Sequence, residues 1–82
     1  MKTETIALKQ EEIHSQIIKD VLDQVADALE ARGYNAVNQI AGYLITNDPA
    51  YISGYRNARS VIQTVERHEI IEELVRSYLE SK

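Results

Sequence analysis

Apolar residues recur at intervals of three and four along most of the chain. From about Gln10 to Arg32 they are Ile13, Ile17, Ile18, Val21, Leu22, Val25, Ala28 and Leu29, the spacing that lines one face of an α-helix. Lys19, Asp20, Asp23, Asp27 and Glu30 fall mostly on the other side. Glu11 and Glu12 suit the positive end of the helix dipole and Arg32 the negative end. Gly33 then fits the left-handed position just past a helix end. Such a helix is roughly 33 Å long, and its stripe is wider than one small partner helix would cover.

A second helix is expected from Ala36 to about Thr46, with Asn35 as N-cap and Val37, Ile40, Ala41, Leu44 and Ile45 on one face. Gly42 lies inside it, where glycine is about 1 kcal/mol worse than alanine. Close approach of another backbone is one reason to keep a glycine there. Asn47-Asp48-Pro49 ends this helix and starts a turn of about one residue triplet, Ala50 to Ile52, with Asp48 able to cap and Pro49 suited to the first position. Ser53-Gly54 breaks the chain again. A third helical region begins near Tyr55 or Arg56, with Ala58, Val61, Ile62 and Val65 on its face. Ile70, Ile71, Leu74, Val75, Tyr78 and Leu79 continue the pattern after a pause at Glu66 to Glu69. We expect two helices meeting near Val65 to Arg67, with Glu69, Glu72, Glu73 and Arg76 on a solvated face. Strict alternation over four or more residues is absent, so no strand is expected.

The fold class implied is all-α, a small bundle of about four to five helices. Residues 1–9 show no clear period and read as a mobile amino-terminal tail; residues 10–82 read as a single helical domain. With 82 residues, a chain buries only about 60–65% of its unfolded surface. Association is a natural way to add core, so an intertwined or face-to-face homodimer is expected.

The stretch Gly33 to Arg59 stands apart in composition. It holds all three glycines, each followed by tyrosine (Gly33-Tyr34, Gly42-Tyr43, Gly54-Tyr55), and four of the five tyrosines. Between Arg32 and Arg56 the only formal charge is Asp48. Amides and phenols without charge point to packing, with polar tips that need partners. Tyr34, Ile40, Gly42, Tyr43, Leu44, Tyr51 and Tyr55 are therefore the core or interface candidates, tyrosine being enriched at interfaces.

Candidate chemistry adds little to this picture. The chain has no cysteine, hence no disulfide and no thiolate. His14 and His68 are the only histidines. His68 and Glu72 have i, i+4 spacing, but a metal site needs three or four ligands, and an ion-paired surface histidine is the ordinary reading. No serine has a nucleophile-elbow context, and the glycines are too far apart for a phosphate loop. No catalytic residue, cofactor or metal is expected, and the protein reads as a non-enzyme.

Thirteen acids against nine bases give a net charge of −4, which argues against nucleic acid as partner. The local basic excess, Arg56, Arg59 and Arg67, reads first as pairing with the acidic first helix and second as an anion patch for phosphate. A nucleic-acid-binding regulator using those arginines is the alternative from another class, and a pure protein-interaction module is a further one. No run approaches the roughly 20 apolar residues that span a bilayer, and no signal peptide is visible. A cytoplasmic protein without membrane insertion is expected.

The strings GYNAVNQIAGYLITNDPAYISGYRNAR and ERHEIIEELVRSYL closely resemble the IreB family of small regulatory phosphoproteins of Gram-positive bacteria, over about Arg32 to Leu79. The resemblance implies a helical homodimer that is a substrate of a PASTA-type Ser/Thr kinase and its partner phosphatase, in cell-wall-stress signalling linked to cephalosporin resistance. It also implies phosphorylation of tail threonines within a motif of the form E-T-x-x-aromatic. Glu4-Thr5-Ile6-Ala7-Leu8 matches except at Leu8, where the aromatic is expected. Thr5 is the first candidate and Thr3 the second.

Overall fold

The computed structural model describes residues 10–82 with their side chains. The side chains of residues 1–9, those of Thr3 and Thr5 among them, lie outside the described residues, while the backbone from Lys2 belongs to the first helix, where a tail without helical period was expected. Four α-helices follow one another: α1 (Lys2–Ala31), α2 (Ala36–Thr46), α3 (Ala58–Ile62) and α4 (Arg67–Glu80). Two short 3-10 turns, Pro49–Tyr51 and Tyr55–Asn57, stand between α2 and α3. The described residues contain helices and turns and no strand.

The predicted punctuation forms where the local chemistry demands it. Gly33 takes φ +81°, and the chain closes α1 with Gly33 N–H donating to Glu30 O and Tyr34 N–H to Leu29 O. That paired closure needs a residue free of the Cβ clash at positive φ. Asn35 caps α2, its Oδ1 accepting from Asn38 N–H at 3.0 Å. Asn47 ends α2 in the left-handed region, its N–H donating to Tyr43 O. Asp48 then caps the next turn by accepting from Ala50 N–H, with Pro49 in the first position.

The third helical region is shorter than its apolar spacing suggests. A 3-10 turn occupies Tyr55–Asn57, and α3 runs only five residues. The pause at Glu66 is a true break. Glu66 N–H donates to the Glu69 carboxylate at 3.2 Å, half of the reciprocal capping arrangement that starts helices.

The core gathers on α1. Ile18, Val21, Val25, Ala28 and Leu29 meet Tyr43 of α2, Ile52, Ala58 and Ile62 of α3, and Ile70 of α4. Leu22, Ala36, Ile40, Leu44, Val61 and Val65 pack around them, half-buried. α2, α3 and α4 each contact α1, which explains the wide stripe.

Gly42 answers a different close approach from the one expected. A Cβ there would stand 2.5 Å from the ring of Tyr51, so a side chain, not a backbone, fills the space. Gln39 Nε2 donates to Tyr51 O at 2.9 Å and holds the turn over α2. Replacing Gly42 by alanine gains about 1 kcal/mol of helix propensity but overpacks the ring, at about 1–3 kcal/mol. Urea unfolding at fixed protein concentration should show Gly42→Ala less stable by up to about 2 kcal/mol. In a Tyr51→Ala background the same change should become stabilising.

Candidate functional site

Three surfaces carry the residues singled out by the sequence. The first is the outer side of α2. Of the interface or core candidates, Tyr43 is buried, while Ile40 and Leu44 are half-buried. Tyr34, Tyr51 and Tyr55 remain exposed in the single chain. Val37 and Ile45 are 77% and 81% exposed, although both sit on a strongly apolar helix. A groove of about 360 Å³ runs between α1, α2 and α4, lined by Leu22, Ala26, Val37, Ile40, Leu44 and Leu74. On α4 the side chains of Ile71, Leu74, Val75, Tyr78 and Leu79 also face solvent. An apolar groove with exposed apolar side chains on two of the helices that form it is characteristic of a protein contact.

The second surface joins α1 to α4 through charge. Glu73, expected on a solvated face, is instead 2% exposed. Helical period alone assigned it outward, but Lys19 and Ser15 of α1 close over it. Arg76 Nη1 donates to its Oε1 at 2.8 Å, Ser77 Oγ to its Oε2 at 3.3 Å, and Lys19 Nζ lies 3.8 Å from Oε2. Burial pushes the Glu73 carboxyl up, but the Ser15 hydroxyl, Lys19, Ser77 and Arg76 together outweigh it and hold it below the ordinary carboxylate value.

Beside this network His14 of α1 pairs with Glu69 of α4. The Glu69 carboxyl is also held below its ordinary value, first by the Glu66 backbone N–H and, against some desolvation, by His14 and His68. His68 pairs with Glu66 at 3.2 Å and not with Glu72, as its i, i+4 spacing had suggested. Among the described residues no group of three or more His, Asp or Glu is placed to hold a metal ion.

The third surface holds the arginines. Among the described residues neither Arg59 nor Arg67 pairs with the acidic face of α1, which was the first expectation for them. Arg59 Nε donates to Pro49 O at 3.1 Å and to Ile52 O at 2.9 Å. Arg67 Nη1 donates to Leu44 O at 2.9 Å, near the carbonyl end of α2. Irregular turns and helix ends leave carbonyls such as those of Leu44 and Ile52 without intrahelical donors, and guanidinium groups supply them here; Pro49 O also accepts the Ile52 N–H of its own turn. Arg56 is placed otherwise. It lies over the ring of Tyr55, 5.0 Å from its centroid, and Arg32 lies over the same ring at 5.2 Å. Residue type and spacing did not mark Arg32 as a member of this cluster, because the contact joins residues 23 apart. A left-handed backbone at Arg56 (φ 52°) and Asn57 (φ 60°) turns the arginine onto the ring. Gly54 marked the turn, but neither left-handed position is a glycine, and Asn57 was the hint to its conformation.

Glu73 makes a pH-dependent contribution whose sign is fixed by its lowered carboxyl. A carboxyl depressed in the folded state stabilises above its ordinary value, 4.5, and that stabilisation is lost as pH falls through the folded value. Glu73→Gln should therefore cost about 1–3 kcal/mol at neutral pH. The gap between wild type and variant, measured by urea unfolding, should close as pH is lowered below 4.5.

A family model described as IreB regulatory phosphoprotein matches residues 3–80 of the chain. That span extends the resemblance seen over the central and carboxyl-terminal strings through α1 to both tail threonines.

Proposed function

Because the chain belongs to the IreB family of regulatory phosphoproteins, we propose that it is a non-enzymatic regulator, modified on threonine by a PASTA-type Ser/Thr kinase and reset by that kinase's phosphatase. The observation that carries this reading is the extent of the match. It begins at residue 3 and so takes in Thr3 and Thr5 together with the whole helical body. Thr5 is the favoured site, because Glu4-Thr5-Ile6-Ala7-Leu8 keeps the acidic residue before the threonine that the family motif has. Thr3 is second. The setting that follows from the family is cytoplasmic cell-wall-stress signalling with an effect on cephalosporin resistance. Among the described residues no helix is long and apolar enough to cross a membrane, which fits a kinase substrate presented from solution.

The acting form we propose is a homodimer. Val37 lines the apolar groove, and Ile45 is exposed on the same helix, so α2 offers apolar surface that a second copy can cover. The solvent-facing residues of α4 extend it. Burying such a face stabilises association by roughly 25 cal/mol per Å² before the costs of docking.

Two measurements test the two halves separately. Incubation with a PASTA-type kinase and ATP, followed by mass spectrometry, should place phosphate on Thr5, with less on Thr3. Phosphate found only within residues 10–82, or none at all, would remove the kinase reading. Sedimentation equilibrium at micromolar concentration should give twice the chain mass. Val37→Glu and Ile45→Glu should each return the chain to a monomer with an unchanged helical circular dichroism spectrum, since neither side chain is part of the core. A wild-type monomer would end the dimer proposal and leave the kinase reading intact.

A further inference from the structure

Arg32 closes α1 and Arg56 opens the segment that leads to α3, yet both guanidinium groups converge on the ring of Tyr55, at 5.2 and 5.0 Å. The two charges are thus no more than about 10 Å apart, on long side chains whose heads remain in water. Among the described residues neither has a carboxylate within salt-bridge distance, whereas Lys19 and Arg76 share Glu73. Arg59 and Arg67 are committed to backbone carbonyls. In a chain of net charge −4, two adjacent cations without an anion are the exception.

Their placement also costs conformational energy. Arg56 adopts φ 52° and ψ 30°, and Asn57 φ 60°, a region that penalises residues with a Cβ by about 1–2 kcal/mol. Three hydrogen bonds hold the turn: Tyr55 N–H to Ser53 Oγ, Asn57 N–H to Gly54 O and Arg59 N–H to Ser53 O. A strained arginine kept by surrounding bonds marks a place where the side chain's position matters. The guanidinium groups supply planar, multiple N–H donors and the exposed phenol of Tyr55 a further one. That donor set matches a phosphate monoester dianion, which presents three acceptor oxygens.

We infer that Arg32, Tyr55 and Arg56 form a receptor for phosphothreonine, and that its occupant is phosphorylated Thr5 of a second copy of this chain. The inference rests on the proposed phosphorylation of the amino-terminal segment. The choice of a second copy follows from reach. Thr5 stands near one end of α1, which spans Lys2–Ala31, and Arg32 follows its other end. At 1.5 Å per residue the two are roughly 40 Å apart along the helix axis. Within one chain a phosphate on Thr5 therefore cannot reach Arg32 while α1 is intact. Phosphorylation then acts by joining chains, adding a charge-assisted contact to whatever apolar contact they already make.

The test uses the intact unphosphorylated protein and a fluorescent synthetic peptide of residues 1–9 with phosphothreonine at position 5, so it does not depend on any kinase modifying the protein. Anisotropy titration at low salt should show the phosphopeptide binding at least 10-fold more tightly than its unphosphorylated form, with affinity falling as salt rises. Arg32→Gln and Arg56→Gln should each weaken it 5-fold or more, while Lys19→Gln, which also removes one positive charge, should leave it unchanged; circular dichroism melting confirms that each variant is folded. Equal binding with and without phosphate, or equal loss in all three variants, would overturn the receptor. An unrelated phosphothreonine peptide of the same length and charge binding as tightly would overturn the second copy as occupant. So would protein made with phosphothreonine at position 5 that, diluted to a monomer, no longer takes up the peptide, since its own phosphate would then fill the site. Failure of the kinase to modify Thr5 would remove the regulatory reading while leaving these binding results as they stand.

Discussion

One stripe of α1 has to serve every other helix. Five of the ten buried apolar residues, Ile18, Val21, Val25, Ala28 and Leu29, belong to it, and α2, α3 and α4 all come to it from different directions. The arrangement is economical for a short chain, because each partner helix needs to supply only one or two fully buried side chains. It also sets a limit. A core built around one helix is one layer deep, and the outer faces of the partner helices have nothing further to pack on. Among the described residues twelve large apolar side chains remain exposed, seven of them on α2 and α4. The same constraint that lets 82 residues fold therefore leaves an apolar exterior, and the placement of Val37, Ile45 and the α4 residues follows from it.

The charge-poor middle of the chain is held by donors brought in from its borders. Its turns leave the carbonyls of Leu44 and Ile52 outside regular helix bonding, and Pro49 O with the Ile52 N–H as its one backbone donor. Arg67 and Arg59 donate to them, and Gln39 donates to Tyr51 O. A guanidinium directed at a carbonyl is a stronger hydrogen bond than a neutral one. Arg67 near the end of α2 also meets the negative end of that helix's dipole. This explains why a segment almost without charge is followed by three arginines in quick succession. Two of them complete its backbone hydrogen bonds.

What the sequence made legible is mostly local. Asn35, Gly33, Asn47, Asp48 and Pro49 act on the backbone within three or four residues. The bounds of α2 and the turn after it were therefore readable from residue type alone. The break before α4 was readable for the same reason, since Glu66 and Glu69 form their own start signal. Apolar spacing named most of the core. Pairings across long sequence separation were not readable. Nothing at Glu73 distinguishes it from Glu72; it is buried because Ser15 and Lys19 of α1 happen to lie above it. Arg59 and Arg67 were expected to seek carboxylates because carboxylates appear in a sequence and free carbonyls do not. Tyr51 over Gly42 was half visible: the glycine announced a close approach, and only the fold could say that a ring makes it.

These features also bear on how phosphorylation can change what such a body does. A modification shifts an equilibrium only through groups that interact differently with the two forms. The apolar faces of α2 and α4 cannot be such groups, since aliphatic and aromatic side chains offer a phosphate no charge-assisted hydrogen bond. Lys19 and Arg76 are occupied by a carboxylate that cannot leave without stranding a buried charge. Arg59 and Arg67 are held by the carbonyls they complete. Among the described residues, what is left to respond to a new pair of negative charges is the small set of cations whose present partner is an aromatic ring, Arg32 and Arg56 on Tyr55 and Lys82 on Tyr78. A cation–π contact at an exposed site contributes only about 0.5–1 kcal/mol, less than a charge-assisted hydrogen bond to phosphate at about 1.5–3 kcal/mol. Arg32 and Arg56 can exchange one for the other without disturbing a helix, so the fold can accept the signal while its core stays as it is.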